Sequence, residues 1–194
     1  MNIFALDNDP KLAAQYHNNA HCIKMILEQN QLLCTAHRVL DGKEIEGKKQ
    51  VAGSLPARWR KFKTWKLEDK EKDVKLYKST HVSHPSAVWC RQSDSNYRYL
   101  HDLLVELCKE YTFRYGKIHK CESSGLVSYL KTPPNNIPIG EFTQVTPAMP
   151  DEYIIPNDSI ASYRNYYIGA KQHLAKWSGK VNSRSVPPWF IINN

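Results

Sequence analysis

Seven polar residues of this 194-residue chain, His17, His21, Lys24, Glu28, Gln31, Thr35 and Arg38, are separated alternately by four and three positions. On a helix that spacing places them in one stripe. Two imidazoles, an amine and a carboxylate together could move protons or attack an electrophilic carbon. The same stripe could equally be the wet side of a helix, with Lys24 and Glu28 an ordinary i,i+4 pair. A merely solvated face would carry more Lys and Glu and fewer His, Gln and Thr. Apolar residues spread almost all round the stripe, from Ala20 and Cys22 to Val39 and Leu40, predict a largely buried helix with a polar seam. His17 and His21 have the spacing of a two-imidazole metal site, but HNNAH lacks the glutamate of the HExxH motif. A third ligand would have to come from Glu28, His37, His81 or His84, so neither metal nor cofactor is assigned.

Other groups could join that stripe. Thr80-His81-Val82-Ser83-His84-Pro85 reads as a loop, because Pro85 keeps His84 out of helical geometry. It leads to Trp89-Cys90-Arg91, and it either brings His84 and Arg91 to a cleft or caps the next helix. Arg114, Tyr115, Lys117 and His119 lie at a helix end, suited to the macrodipole or to a phosphate. Tyr166, Tyr167 and Lys171 alternate rings and charge, as a base-stacking surface would, or as core tyrosines do.

The elements that position these groups are mostly helical in pattern. Asp9-Pro10 predicts a helix start, uninterrupted to Leu40 apart from a possible kink at Asn18-Asn19, with Gly42 ending it. A second helix is predicted from Asp94 to Tyr115, a short one near 122–130, and a third long one from Asp158 to about Trp177. Residues 2–6 suggest a short strand. The prediction is an all-α single domain over 1–194, with three long helices, irregular connections and a basic inserted arm at about 43–78. That insert holds twelve Lys or Arg and six Asp or Glu, so most of the formal net charge of +8 resides there. Its Trp59, Phe62 and Trp65 interleave with Arg58, Arg60, Lys61, Lys63 and Lys66. This is either a nucleic-acid surface or an amphipathic hairpin packing its aromatics on the body. Five cysteines without a CxxC pair predict a reducing compartment, and no segment approaches a membrane span. The expectation is a cytoplasmic protein, with DNA as partner and no membrane; the bulky Asn2 predicts that Met1 is retained.

The stretches LAAQYHNNAHCIKMILEQNQLL, THVSHPSAVW, NYRYLHDLLVELCKEYTFRYGKIHK, MPDEYIIP and YRNYYIGAKQHLAKW resemble phage-encoded proteins related to the endonuclease V type pyrimidine-dimer DNA glycosylases. Similarity to the phage group spans nearly the whole chain, and similarity to the glycosylase itself is confined to an early, a middle and a late segment. The resemblance implies an all-helical protein that extrudes a nucleotide and breaks the glycosidic bond through an imine on the N-terminal amine, assisted by a first-helix glutamate. Aligning His17 with the family's early histidine puts Lys24 where that glutamate stands. A variant mechanism follows, in which Lys24, its pKa lowered among apolar and basic neighbours, attacks C1′ while Glu28 or His21 moves protons. The expected function is a base-excision type DNA glycosylase/lyase. A phage base-modifying transferase using His21 or His84 as base, and a non-catalytic nucleic-acid-binding protein using the basic insert and the aromatic helix, are the alternatives; Arg38 is counted among the nucleic-acid contacts.

Overall fold

The computed structural model describes residues 1–190 other than 51, 54 and 57, and leaves the side chain of Lys49 undescribed. The three omitted positions of the insert therefore lie outside the described residues. Two long helices form the centre. α2 spans Asn19–Asp41 and α5 spans Asp94–Tyr115, the latter with the predicted bounds. Ser93 caps α5 by accepting the Asn96 N–H, and Gly116 ends it in the left-handed region at φ 64°, where a side chain is strained. Met25, Ile26, Leu32 and Leu33 of α2 are buried with Leu100, Leu103, Leu104 and Leu107 of α5.

The predicted helix from Pro10 to Leu40 is two helices. α1 (Pro10–Tyr16) stops at His17, whose backbone is extended. Asn18 then accepts the His21 N–H in its side chain and starts α2. Two successive asparagines favour such a cap over continuation, because their side chains compete for backbone donors. Residues 2–6 join no sheet; they run as a buried extended segment.

The all-α prediction is overturned by the insert. β1 (Lys43–Gln50) pairs antiparallel with β2 (Trp59–Lys66), so the fold is mixed, 48% helical and 10% strand. β2 carries three aromatic residues and one threonine, types that favour a pleated surface, whereas β1 is mostly charged and acquires strand form from its partner. The hairpin does not lay its distal aromatics on the body: Trp59 is 64% exposed and Phe62 stays half-exposed, its ring over Gly47 of the facing strand. α3 (Lys70–Lys75) and α4 (Pro85–Cys90) follow.

The predicted turn of helix near 122–130 is two single turns, α6 (Lys120–Ser123) and α7 (Leu126–Tyr129), divided by Gly125 at φ 74°. The third long helix is also shorter than its pattern. α8 covers Ser159–Ala170, after which a 3-10 turn, Gln172–Leu174, bends the chain. Trp177 can then bury its ring and donate its indole N–H to the Tyr16 carbonyl at 2.9 Å. Among the described residues no helix is long and apolar enough to cross a membrane.

Candidate functional site

Most of the polar stripe is covered by chain from elsewhere. Residues 2–6 and the segment from Tyr77 to His84 bring donors and acceptors over it, so His17, His21, Glu28, Thr35 and Arg38 are buried. The exposed side of α2 is instead Ala20, Ile23, Lys24 and Leu27. A one-helix pattern shows only which residues share a face; whether water or protein lies over that face depends on the rest of the chain.

Glu28 is the centre of one cluster. Its Oε2 accepts the backbone N–H of Asn2 at 3.0 Å and lies 3.9 Å from the Met1 nitrogen, while Lys24 Nζ is 3.0 Å from Oε1. Lys24 itself is largely exposed, so the enclosing apolar surroundings expected of it are missing. His84 faces the same cluster. Burial holds its imidazole below the usual range, the Met1 amino group and His81 push the same way, and Glu28 opposes them.

The loop carrying His81 and His84 is fastened from two sides. Thr35 Oγ1 donates to the Thr80 carbonyl at 3.3 Å and accepts the Thr80 N–H at 3.1 Å. Arg91 Nη1 donates to the carbonyls of Val82 and Ala87, both at 2.8 Å, and His84 Nδ1 caps α4 by accepting the Ser86 N–H at 3.2 Å. His81 is held in the left-handed region at φ 49°, with its Nδ1 2.7 Å from Thr80 Oγ1. Strain of this kind persists only where neighbours enforce it. A Thr35→Val variant, isosteric but unable to bond Thr80, is expected to lose about 1–2 kcal/mol in urea unfolding and to loosen His81. Faster amide exchange at residues 80–84 would check the second effect.

His17 and His21 belong to a different, aromatic environment. Phe4, at φ 54°, stacks on His21 with centroids 4.2 Å apart, and Tyr167 Oη lies 2.5 Å from His21 Nδ1. His17 Nδ1 donates to the Ala13 carbonyl at 2.7 Å, leaving Nε2 buried without a partner among the described residues. Burial drives His17 down to about 4 and His21 to about 3, so both rings are neutral at pH 7. Among the described residues no group of three or more His, Cys, Asp and Glu is placed to hold a metal ion.

Several residues read as phosphate or base contacts are structural. Arg38 is fully buried and places all five N–H groups inside the protein, on the carbonyls of Trp65, Asp73, Leu76 and Tyr77 and on the Asp73 carboxylate. Arg114 is equally buried, bonding Glu110, Asn19 and the carbonyls of Gln15 and His17. Neither can turn to a phosphate without abandoning these acceptors. Tyr167 is core, Tyr115 packs half-buried against Tyr111, Arg91 is spent on its loop, and His119 caps α6. Lys117 is exposed, and Lys171 sits over the half-buried Tyr166 ring at 4.6 Å.

The arm keeps its charge at the surface. Arg58, Arg60 and Lys66 are exposed; Lys61 and Lys63 pair with Glu46 and Glu44, and Trp65 is half-buried near the root. Sequence reasoning missed the approach of Met1 and Asn2 to Glu28. The apolar run Ile3 to Leu6 was its only signal, since a segment that must be buried drags its polar neighbours with it. No model of a known protein family, no curated protein and no solved structure matches the chain.

Proposed function

We propose that this chain is a DNA-acting enzyme of the glycosylase/lyase type, with its chemistry at Glu28. The supporting observation is one poorly exposed carboxylate with two amines within 4 Å, Lys24 Nζ and the Met1 nitrogen. This modifies the variant mechanism written from the sequence: the Met1 nitrogen joins Lys24 as a candidate nucleophile, Glu28 keeps its proton-moving part, and His84 replaces His21 as the second proton carrier. In this reading an amine that has given its proton to Glu28 forms a bond to C1′ of an extruded nucleotide. The bond from C1′ to the base breaks, and the base leaves with that electron pair and takes a proton from Glu28 or His84. Opening of the sugar ring leaves an imine, and water then regenerates the amine.

The five cysteines stand free and buried, which supports a reducing, cytoplasmic setting within the same proposal. Borohydride treatment of the protein with DNA carrying abasic sites or pyrimidine dimers should trap a covalent adduct that maps to Lys24 or to the first residue, as intact mass defines it. Glu28→Gln should lower adduct formation on the order of a hundred-fold or more, within the range of acid/base contributions. Absence of any adduct, or an undiminished yield from Glu28→Gln with the wild-type fold, removes the reading.

A further inference from the structure

The register of the hairpin sorts its side chains onto two faces. Directly opposed residues of an antiparallel ladder share a face, and successive residues alternate. Lys48 stands opposite Lys61 and Gln50 opposite Trp59, so Trp59, Lys48 and Lys61 share one face. Arg60, Phe62 and Lys66 lie on the other. Glu44 and Glu46 occupy the root half of the first face, where they pair with Lys63 and Lys61. The distal half carries two lysines and an indole, around an open cleft of about 390 Å³ lined by Lys48, Trp59 and Lys61.

Three physical features ask for an anionic, ring-bearing occupant there. Like charges directly across a ladder repel, and Glu46 reaches only one of the two lysines. The Lys61–Glu46 pair is exposed on both sides and so costs little to exchange for a phosphate. Trp59 offers most of its surface to solvent although the strands pair chiefly with each other and meet the body at the end of α2. A two-stranded ribbon standing free is marginal in water and gains from whatever covers it.

We infer that the distal face of the hairpin binds single-stranded nucleic acid, stacking an unpaired base on Trp59 while Lys48 and Lys61 take the flanking phosphates. A duplex keeps its bases stacked on one another and offers this face only phosphates. An acidic peptide would satisfy the lysines and leave the indole uncovered. Single strands satisfy both. This inference is independent of the amine chemistry at Glu28.

Its test is a titration of the full chain with fluorescent oligothymidylate and with a mixed-sequence duplex of equal length, at several salt concentrations. The single strand should bind more tightly. Trp59→Ala should weaken that binding about ten-fold, within the range of base–aromatic stacking, and Trp59→Phe should restore most of it. Lys48→Gln should flatten the salt dependence by roughly one phosphate's worth, about 0.7 in logarithmic slope. Tighter binding of the duplex, unchanged affinity in Trp59→Ala, or no binding of either nucleic acid by the wild type overturns the inference. Glu28→Gln should bind the oligonucleotide as the wild type does. Trp59→Ala should still form the borohydride adduct at saturating DNA, so each site can fail without the other.

Discussion

Arg38→Ala is expected to cost about 3–5 kcal/mol, the range seen when one member of a buried charge pair is removed. The guanidinium ties together segments from three places in the chain: the end of β2 at Trp65, α3 at Asp73, and the turn through Leu76 and Tyr77. Removing it takes a donor from each of four carbonyls and takes from the Asp73 carboxylate its buried cationic partner. That carboxylate is held well below its usual range chiefly by the Arg38 hydrogen bond, with help from the Leu67 N–H and Lys78. Arg38→Lys should recover only part of the loss, because an ammonium has three donors and cannot spread them across a planar fork. Urea unfolding followed by circular dichroism measures the cost. Limited proteolysis between 66 and 78 should show the arm's root opening first. If Arg38→Ala instead keeps wild-type stability and only flattens the salt dependence of DNA binding, Arg38 is the phosphate contact that its place in the stripe suggested.

Acid should unfold the protein early. His17, His21 and His37 are buried neutral, with burial the first cause in each case, and are lowered to about 4, about 3 and about 4. Near pH 6.5 their unfolded counterparts take up protons that the folded rings refuse. The unfolded state therefore binds more protons between about pH 6.5 and pH 4, and stability rises with pH across that window. Each fully neutral ring contributes a slope of about 1.4 kcal/mol per pH unit, so a fall from pH 6.5 to pH 5 costs on the order of 4–6 kcal/mol for the three. That is comparable with the whole stability of many domains. The carboxylate of Asp73 acts in a lower window, since its stabilising effect is lost only as pH falls below the ordinary Asp range. Urea midpoints at pH 7, 6 and 5 should fall steeply. A His17→Asn variant should show a slope shallower by one proton, whatever its stability at pH 7. A flat profile between pH 6.5 and 5 sinks this account.

What could be read from the sequence were the features whose causes are local. Asp9 before Pro10 and Gly116 after α5 each act within a turn of their own position, and the structure has both. The hairpin was readable only as one of two options, and its strands were lost from the predicted fold class because β1 has little strand character by itself. α8 was overestimated because Leu174 and Trp177 continue a helical rhythm that the chain abandons to seat Trp177 under Tyr16. Glu28 was legible as a residue of interest through its place in the stripe. Its company was not, since the Asn2 N–H that bonds it lies 26 residues away.

The stripe from His17 to Arg38 divides the two kinds of knowledge. The sequence by itself determined that these residues recur on one side of a helical path, because backbone geometry sets that period. It also determined that excess positive charge is concentrated in the insert. Only the tertiary structure decided that His17 and His21 enter an aromatic core, that Glu28 meets Met1, Asn2 and Lys24, and that Arg38 and Arg114 are buried fasteners. The reason is physical. An arginine's sequence neighbours show five donors but not their acceptors, and in this protein those acceptors are carbonyls and carboxylates brought together by folding.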